Sequence, residues 1–103
     1  MQVHVTEREG RVAGVLVLEV DAAGGAFIDN VAVHPAARGG GVGRQLLEHA
    51  EAQTRSLGDA SITLSTHEKM VENQALYSRI GYMAFDHRVV TGYTRVFMRK
   101  PLG

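Results

Sequence analysis

At 103 residues the chain is long enough for one domain with a single core and too short for a second. Its 45% hydrophobic and 21% charged residues are a globular balance that argues against disorder, and a formal net charge of +0 leaves no global field to recruit nucleic acid or an anionic membrane. The absence of cysteine excludes disulfides, thiolate catalysis and cysteine-based zinc sites. No apolar run reaches membrane-spanning length, and "MQVHVTEREG" has neither a basic region nor an apolar signal core, so the expectation is a soluble cytoplasmic chain with no membrane or nucleic-acid partner.

Val3 and Val5 alternate with polar neighbours ahead of "EREG", and Val12 to Val20 ("VAGVLVLEV") is apolar almost without break. This predicts a hairpin whose second strand is buried on both faces. Asp21 to Gly25 reads as a turn and Phe27 to Val33 as a third strand, ended by His34-Pro35. From Gly43, the residues Leu46, Leu47, Ala50, Thr54 and Leu57 recur at helical spacing, with Gly58 placed for a left-handed cap. Ile62 and Leu64 mark a fourth strand. Asn73 to Ile80 predicts a short helix with Asn73 as N-cap and Gly81 as stop, and "YMAFDHRVV", "TG" and "YTRVFMRK" a closing hairpin. The order β-β-β-α-β-α-β-β implies an α+β (mixed α/β) domain, 1–103, with helices packed on a central sheet.

Between the third strand and the first helix, Gly39, Gly40, Gly41 and Gly43 fall within six residues, flanked by Arg38 and Arg44. A strand, a glycine-rich turn and a helix start together direct free amides and the helix dipole at one point, which suits phosphate. The P-loop pattern fails because Arg44-Gln45 follows Gly43, and the dinucleotide fingerprint fails for want of its third glycine. What fits is Arg-x-x-Gly-x-Gly, as Arg38, Gly41 and Gly43.

With "VAVHP" before it and "RQLLEHA" after it, this motif closely resembles the acetyl-CoA-binding motif of the GCN5-related N-acetyltransferases, and "ENQALYSRIGY" resembles that family's later motif. The resemblance runs from about residue 2 to the end. It implies a splayed, mostly antiparallel sheet and transfer of acetyl from acetyl-CoA to a primary amine in a ternary complex, without a covalent enzyme intermediate. One departure is large: the family's usual N-terminal strand and two helices, which commonly shape the acceptor side, are missing. A non-catalytic acyl-CoA-binding or regulatory module is therefore the rival reading, and a nucleotide-binding loop a third.

By resemblance, Val31, Ala32 and Val33 run along the pantetheine arm, and an amide near Val31 polarises the thioester carbonyl. Arg38, Gly39, Gly40, Gly41, Val42, Gly43 and Arg44 hold the pyrophosphate, and Asn73 touches the pantetheine. A strand that gives its backbone to a cofactor cannot pair fully with its neighbour, so a splay or bulge is expected here. Asp29-Asn30, both poor strand formers, mark it or form an ordinary exposed bulge. Tyr77 matches the family tyrosine that protonates the departing thiolate. It also stands five residues before Tyr82, where a Schellman cap closed by Gly81 makes its apolar contact. For a general base, Phe27 stands where some relatives carry Glu; Asp29, acting through a water, is the candidate, with His67 and Glu68 as alternatives. His34 reads as a turn residue and His49 as a solvated helix position. The five histidines lack ligand spacing, so no metal is expected. The acceptor is expected to be a small-molecule or peptide amine. An exposed edge along Gln2 to Thr6 is expected to support a homodimer.

Overall fold

The computed structural model describes residues 1–20, 25–37 and 39–102. Residues 21–24 of the expected turn, and Arg38, lie outside the described residues. In chain order the elements are β1 (Gln2–Arg8), β2 (Arg11–Val20), β3 (Ala26–Val33), a single 3₁₀ turn (Pro35–Ala37), α1 (Val42–Ser56), β4 (Ser61–His67), α2 (Val71–Arg79), β5 (Met83–Val90) and β6 (Tyr93–Pro101). The sheet order is β1-β2-β3-β4-β6-β5. Only β3 and β4 run parallel, which matches the expected mixed, mostly antiparallel sheet.

Two-residue turns close the β1–β2 and β5–β6 hairpins. Glu9 and Gly10 take φ 53 and 75, Thr91 and Gly92 φ 50 and 86, and positive φ at both positions suits the twist of the flanking strands. For β-branched Thr91 that conformation is strained.

Both helices lie on one side of the sheet. Val42, Leu46, Leu47 and Ala50 of α1 pack in one cluster with Leu16 and Leu18 (β2), Ile28 (β3), Ile62 and Leu64 (β4), Val96 and Met98 (β6), and Tyr77 of α2. Gly14 is what lets α1 come this close. A Cβ there would stand 2.7 Å from Val42 Cγ1 and 2.9 Å from Leu46 Cδ1.

The opposite face has no helix among the described residues, which corrects the expectation that β2 is buried on both faces. Leu16 and Leu18 are fully buried, whereas Val15 and Val17, pointing the other way, are half-buried. Val3 and Val5 in β1, cross-strand from Val17 and Val15, are 55% and 49% exposed. β1 is an edge strand, as expected.

The helix ends correct two further expectations. At α1 the cap is Schellman-type, with Gly58 at φ 88 and the Asp59 N–H donating to Thr54 O. Leu57 is the C-cap and 49% exposed, so it is not part of the buried stripe; Thr54 is buried at its expected spacing, and Val42 extends the stripe at the start of the helix. At α2 the N-cap is Met70, not Asn73. The Met70 N–H donates to His67 O and Gln74 Nε2 donates to Glu68 O, so the turn after β4 starts the helix early and leaves Asn73 inside its first turn.

A largely buried polar link ties the helix side together. Glu51 of α1 is 3% exposed; its carboxylate accepts from Lys100 Nζ of β6 at 2.8 Å and from the Tyr82 hydroxyl at 3.0 Å. Burial and the Glu51 charge push the Tyr82 phenol far above its ordinary pKa.

Candidate active site

The strands β3 and β4 pair at only three positions, Ala26 with Ile62, Phe27 with Thr63 and Ile28 with Leu64, and then part. The expected break falls at that point. Leu18 pairs with Ile28 and Val17 with Asn30, so Asp29 is the extra residue of a bulge.

The register decides which backbone groups of β3 are free to face the gap. The His34 N–H donates to Ala13 O, which makes that pair a hydrogen-bonded one. By alternation, Ala32 and Asn30 turn their N–H and C=O toward β2, and Val33 and Val31 turn theirs away from it, toward the side where β4 has left. Val31 and Val33 thus offer backbone groups to the gap, as expected. Ala32 turns its backbone groups toward β2 instead.

The gap opens into a cleft of about 240 Å³ that passes through the sheet. From the helix side it is lined by Val31, Leu64, Thr66, Asn73 and Tyr77; from the other side by Asn30, Ser65, His67 and Arg95, with Asp29 at the bulge. Tyr77 takes the cap position foreseen for it. It accepts the Tyr82 N–H at 2.9 Å while Gly81 donates to Ser78 O, and its ring meets that of Tyr82 edge-on at 5.9 Å, which completes a Schellman cap. The same side chain lines the cleft. Burial raises its pKa, so the phenol carries its proton at neutral pH.

His67 is badly placed for a general base. Its Nδ1 accepts the Lys69 N–H at 3.1 Å, so the lone pair of the neutral ring is already engaged and Nε2 carries the proton. The ring stacks on Tyr93 at 5.0 Å. His34 is a turn residue, as expected, with Nδ1 accepting from the Ala36 N–H. His49 is an exposed position of α1, as expected, and its ring lies 4.9 Å from that of His4. Burial, and secondarily His49, hold the His4 pKa below its ordinary value. Among the described residues no group of three or more ligating side chains could hold a metal ion.

Beyond Val33 comes the glycine turn. Gly39 and Gly41 sit at φ 82 and 78, where L residues are strained, and Gly41 is the N-cap of α1 with no side-chain cap. The first amides of α1, from Val42, Gly43 and Arg44, have no carbonyl acceptor in their own helix, and the turn carries no acidic residue. Gly43 costs about 1 kcal/mol relative to Ala in a helix. Packing does not call for it, because an added Cβ would make only an ordinary 3.5 Å contact with Val33. Bare backbone at an uncapped helix start fits the approach of an anionic group.

Among the described residues two arginines stand at this turn, Arg44 and Arg8. Arg44 is committed to Glu48 at 3.1 Å in an exposed i,i+4 pair, and Arg38 lies outside the described residues. Arg8, at the end of β1, is the cation that reaches the loop: its Nη2 donates to Gly40 O at 3.1 Å and to Gln45 Oε1 at 3.5 Å. Arg8, Ser65, Thr66, Met70 and Arg95 escaped the sequence reading. Only their positions on β1, β4, the turn before α2 and β6 bring them in, and no local pattern marks them.

Comparison with known proteins agrees with this geometry. The family model of the acetyltransferase (GNAT) domain matches residues 1–84. An "IAA acetyltransferase" of Azospirillum brasilense is 34% identical over 103 residues, covering 95% of this chain and 66% of the relative. A "5-NmdU N-acetyltransferase" of Pseudomonas phage PaMx11 is 32% identical over 81 residues, covering 78% and 56%. The chain thus spans less than two thirds of either relative. Among solved structures, an IAA acetyltransferase from Bacillus cereus superposes with a TM-score of 0.84 at 24% identity, covering 96% of this chain and 76% of that one. A Bacillus anthracis protein solved with acetyl coenzyme A gives 0.87 at 17% identity, covering 96% and 61%. At these identities the structural likeness establishes the fold.

Proposed function

The chain belongs to the GNAT acetyltransferase domain family, and from that premise we propose that it transfers an acetyl group from acetyl-CoA to a primary amine by direct attack in a ternary complex. The observation that carries this reading is the parting of β3 from β4 after Ile28 and Leu64. It leaves the backbone groups of Val31 and Val33 facing a cleft that Tyr77 also lines.

Each element of the site then has a task. The amides at the start of α1 and those of Gly39 and Gly41 hold the pyrophosphate, with Arg8 supplying positive charge beside them, while the Gly40 N–H is already given to Ala37 O. Val31 and Val33 accept and donate along the pantetheine arm, and the Val31 amide donates to the thioester carbonyl. That donor is worth most where charge develops on the oxygen. When bound, acetyl-CoA supplies an acetyl thioester whose sulfur leaves as a thiolate. The Tyr77 hydroxyl delivers a proton to that sulfur. A phenol above pKa ~10 gives it up to a thiolate of a thiol near ~8.5 only in concert with bond breaking. Asp29, at the bulge, takes the amine proton through a water. Asn73, facing the cleft from α2, positions the pantetheine.

A non-catalytic acyl-CoA-binding module is the second reading, favoured by the face opposite the helices, where no element among the described residues covers the cleft's acceptor mouth. An assay of coenzyme A release against a panel of amines separates the two. Turnover on at least one amine, lowered about 100-fold in kcat by Tyr77→Phe with little change in acetyl-CoA affinity, supports the enzyme. Binding of acetyl-CoA without turnover on any amine supports the module. The exposed β1 edge supports a homodimer, which sedimentation at high concentration tests.

A further inference from the structure

The face of the sheet without helices carries an uneven charge. Arg95 and Arg99 of β6 and Arg88 of β5 share it with Phe97 and Phe85, since residues two apart on a strand point the same way and Arg88 pairs directly with Arg95. Two cations facing each other across strands destabilise a sheet. In a chain of net charge +0 such a pairing needs an explanation. Arg88 has Asp86 at 2.6 Å. Among the described residues neither Arg95 nor Arg99 has a carboxylate within 4.0 Å.

Arg95 is the one of the three that lines the cleft, and it is held in place. Its Nε donates to Ser65 Oγ at 2.8 Å, its Nη2 to Ser65 O at 3.0 Å and its Nη1 to the Tyr93 hydroxyl at 3.4 Å. A guanidinium has five N–H donors, so two remain, one on each terminal nitrogen, in the forked arrangement that suits an oxyacid. The cost of ordering the side chain has already been met by Ser65. Apolar surface adjoins it: the Phe97 ring, with Arg88 stacked on it at 4.6 Å and Phe27 at 6.2 Å. On the β3 wall of the same cleft stands a carboxylate, Asp29. The cleft therefore presents an acidic group on one wall and an unpaired, preorganised cation on the other.

Resting on the acetyl-transfer reading above, we propose that the acceptor is an amine that also carries an oxyacid group, a carboxylate or a phosphate, with its amine toward Asp29 and its anion on Arg95, Arg88 adding charge alongside. The pairing of opposite charges selects against neutral-tailed amines and against polyamines, whose second cation would meet Arg95.

Calorimetry on the protein saturated with coenzyme A tests this without requiring turnover. The probes are matched pairs, β-alanine against propylamine for the carboxylate and phosphoethanolamine against ethanolamine for the phosphate. In at least one pair the anionic member is expected to bind about tenfold or more tightly than its partner, the worth of a charge-assisted hydrogen bond. The pair that discriminates identifies the oxyacid. Arg95→Gln is expected to bring the two members of that pair within about threefold, and Arg88→Gln to narrow the gap less. Should Arg95→Gln fail to melt cooperatively, Arg95→Lys keeps the charge but loses the fork, and a partial loss of preference is expected. Equal or tighter binding of the neutral members of both pairs overturns the proposal, as does a preference that survives Arg95→Gln. If the anionic preference holds while no amine is acetylated, the acceptor site stands and the catalytic reading falls.

Discussion

The two faces of the sheet were built to different rules. On the helix side, Leu16, Leu18, Ile62, Leu64 and Met98 are buried to 2% exposure or less, and the one carboxylate admitted, Glu51, is matched by Lys100 and the Tyr82 hydroxyl. On the other side, valines are left half-buried or exposed, and arginines lie on aromatic rings. The cleft between β3 and β4 is lined from both. The difference teaches that one face provides the stability, while the other is free to be shaped by a ligand, and that catalysis by the proposed route needs the opening between them.

The helix side should be intolerant. Glu51→Ala strands a mostly covered ammonium and a buried phenol hydroxyl, and is expected to cost about 4 kcal/mol, read from urea midpoints. Leu16→Ala is expected to cost about 3 kcal/mol, while Val5→Thr, on the same hairpin but facing away, should stay within about 0.5 kcal/mol. Similar losses at Leu16 and Val5 would break the comparison, since they would mean that both faces are covered in solution.

Smaller effects sharpen it. Thr91→Asn relieves a β-branched residue at φ 50 and is expected to stabilise by about 1 kcal/mol, raising the melting temperature. The His4 pKa is held below its ordinary 6.5, so the unfolded chain takes up the proton first as pH falls. The stability that neutral His4 contributes is complete above pH 6.5 and is lost on acidification below it. The melting temperature should fall as the pH drops below about 6.5, and His4→Gln should flatten that slope.

Much of this was legible in the sequence, because it depends on neighbours along the chain. Gly58 and Gly81 mark caps by a φ that only the last turn demands, and Asp29-Asn30 mark the bulge because both residues fit a strand poorly. The glycine turn is likewise local. Where the reading failed, partners distant in sequence decide. The α2 N-cap moved to Met70 because the turn leaving β4 is tied to His67. Val15 and Val17 are half-exposed because both helices went to the other side. The link from Glu51 to Lys100 and the contact of Arg8 with Gly40 each join residues more than 30 positions apart, and no periodicity encodes such a meeting. The donor side is written in contiguous motifs. The acceptor side is assembled from four strands, which is why it could be read only once those strands were placed.

The central claim is that the parted strands and the start of α1 together receive acetyl-CoA. Titrating isotope-labelled protein with acetyl-CoA and following backbone amide resonances tests it directly. The predicted result is that the amides of Val31, Val33, Gly41, Val42 and Gly43 shift together and saturate at one affinity, while Ala32, paired to β2, and the β1 edge move least. Saturable binding that leaves Val31, Val33 and the amides at the start of α1 unmoved would contradict the account.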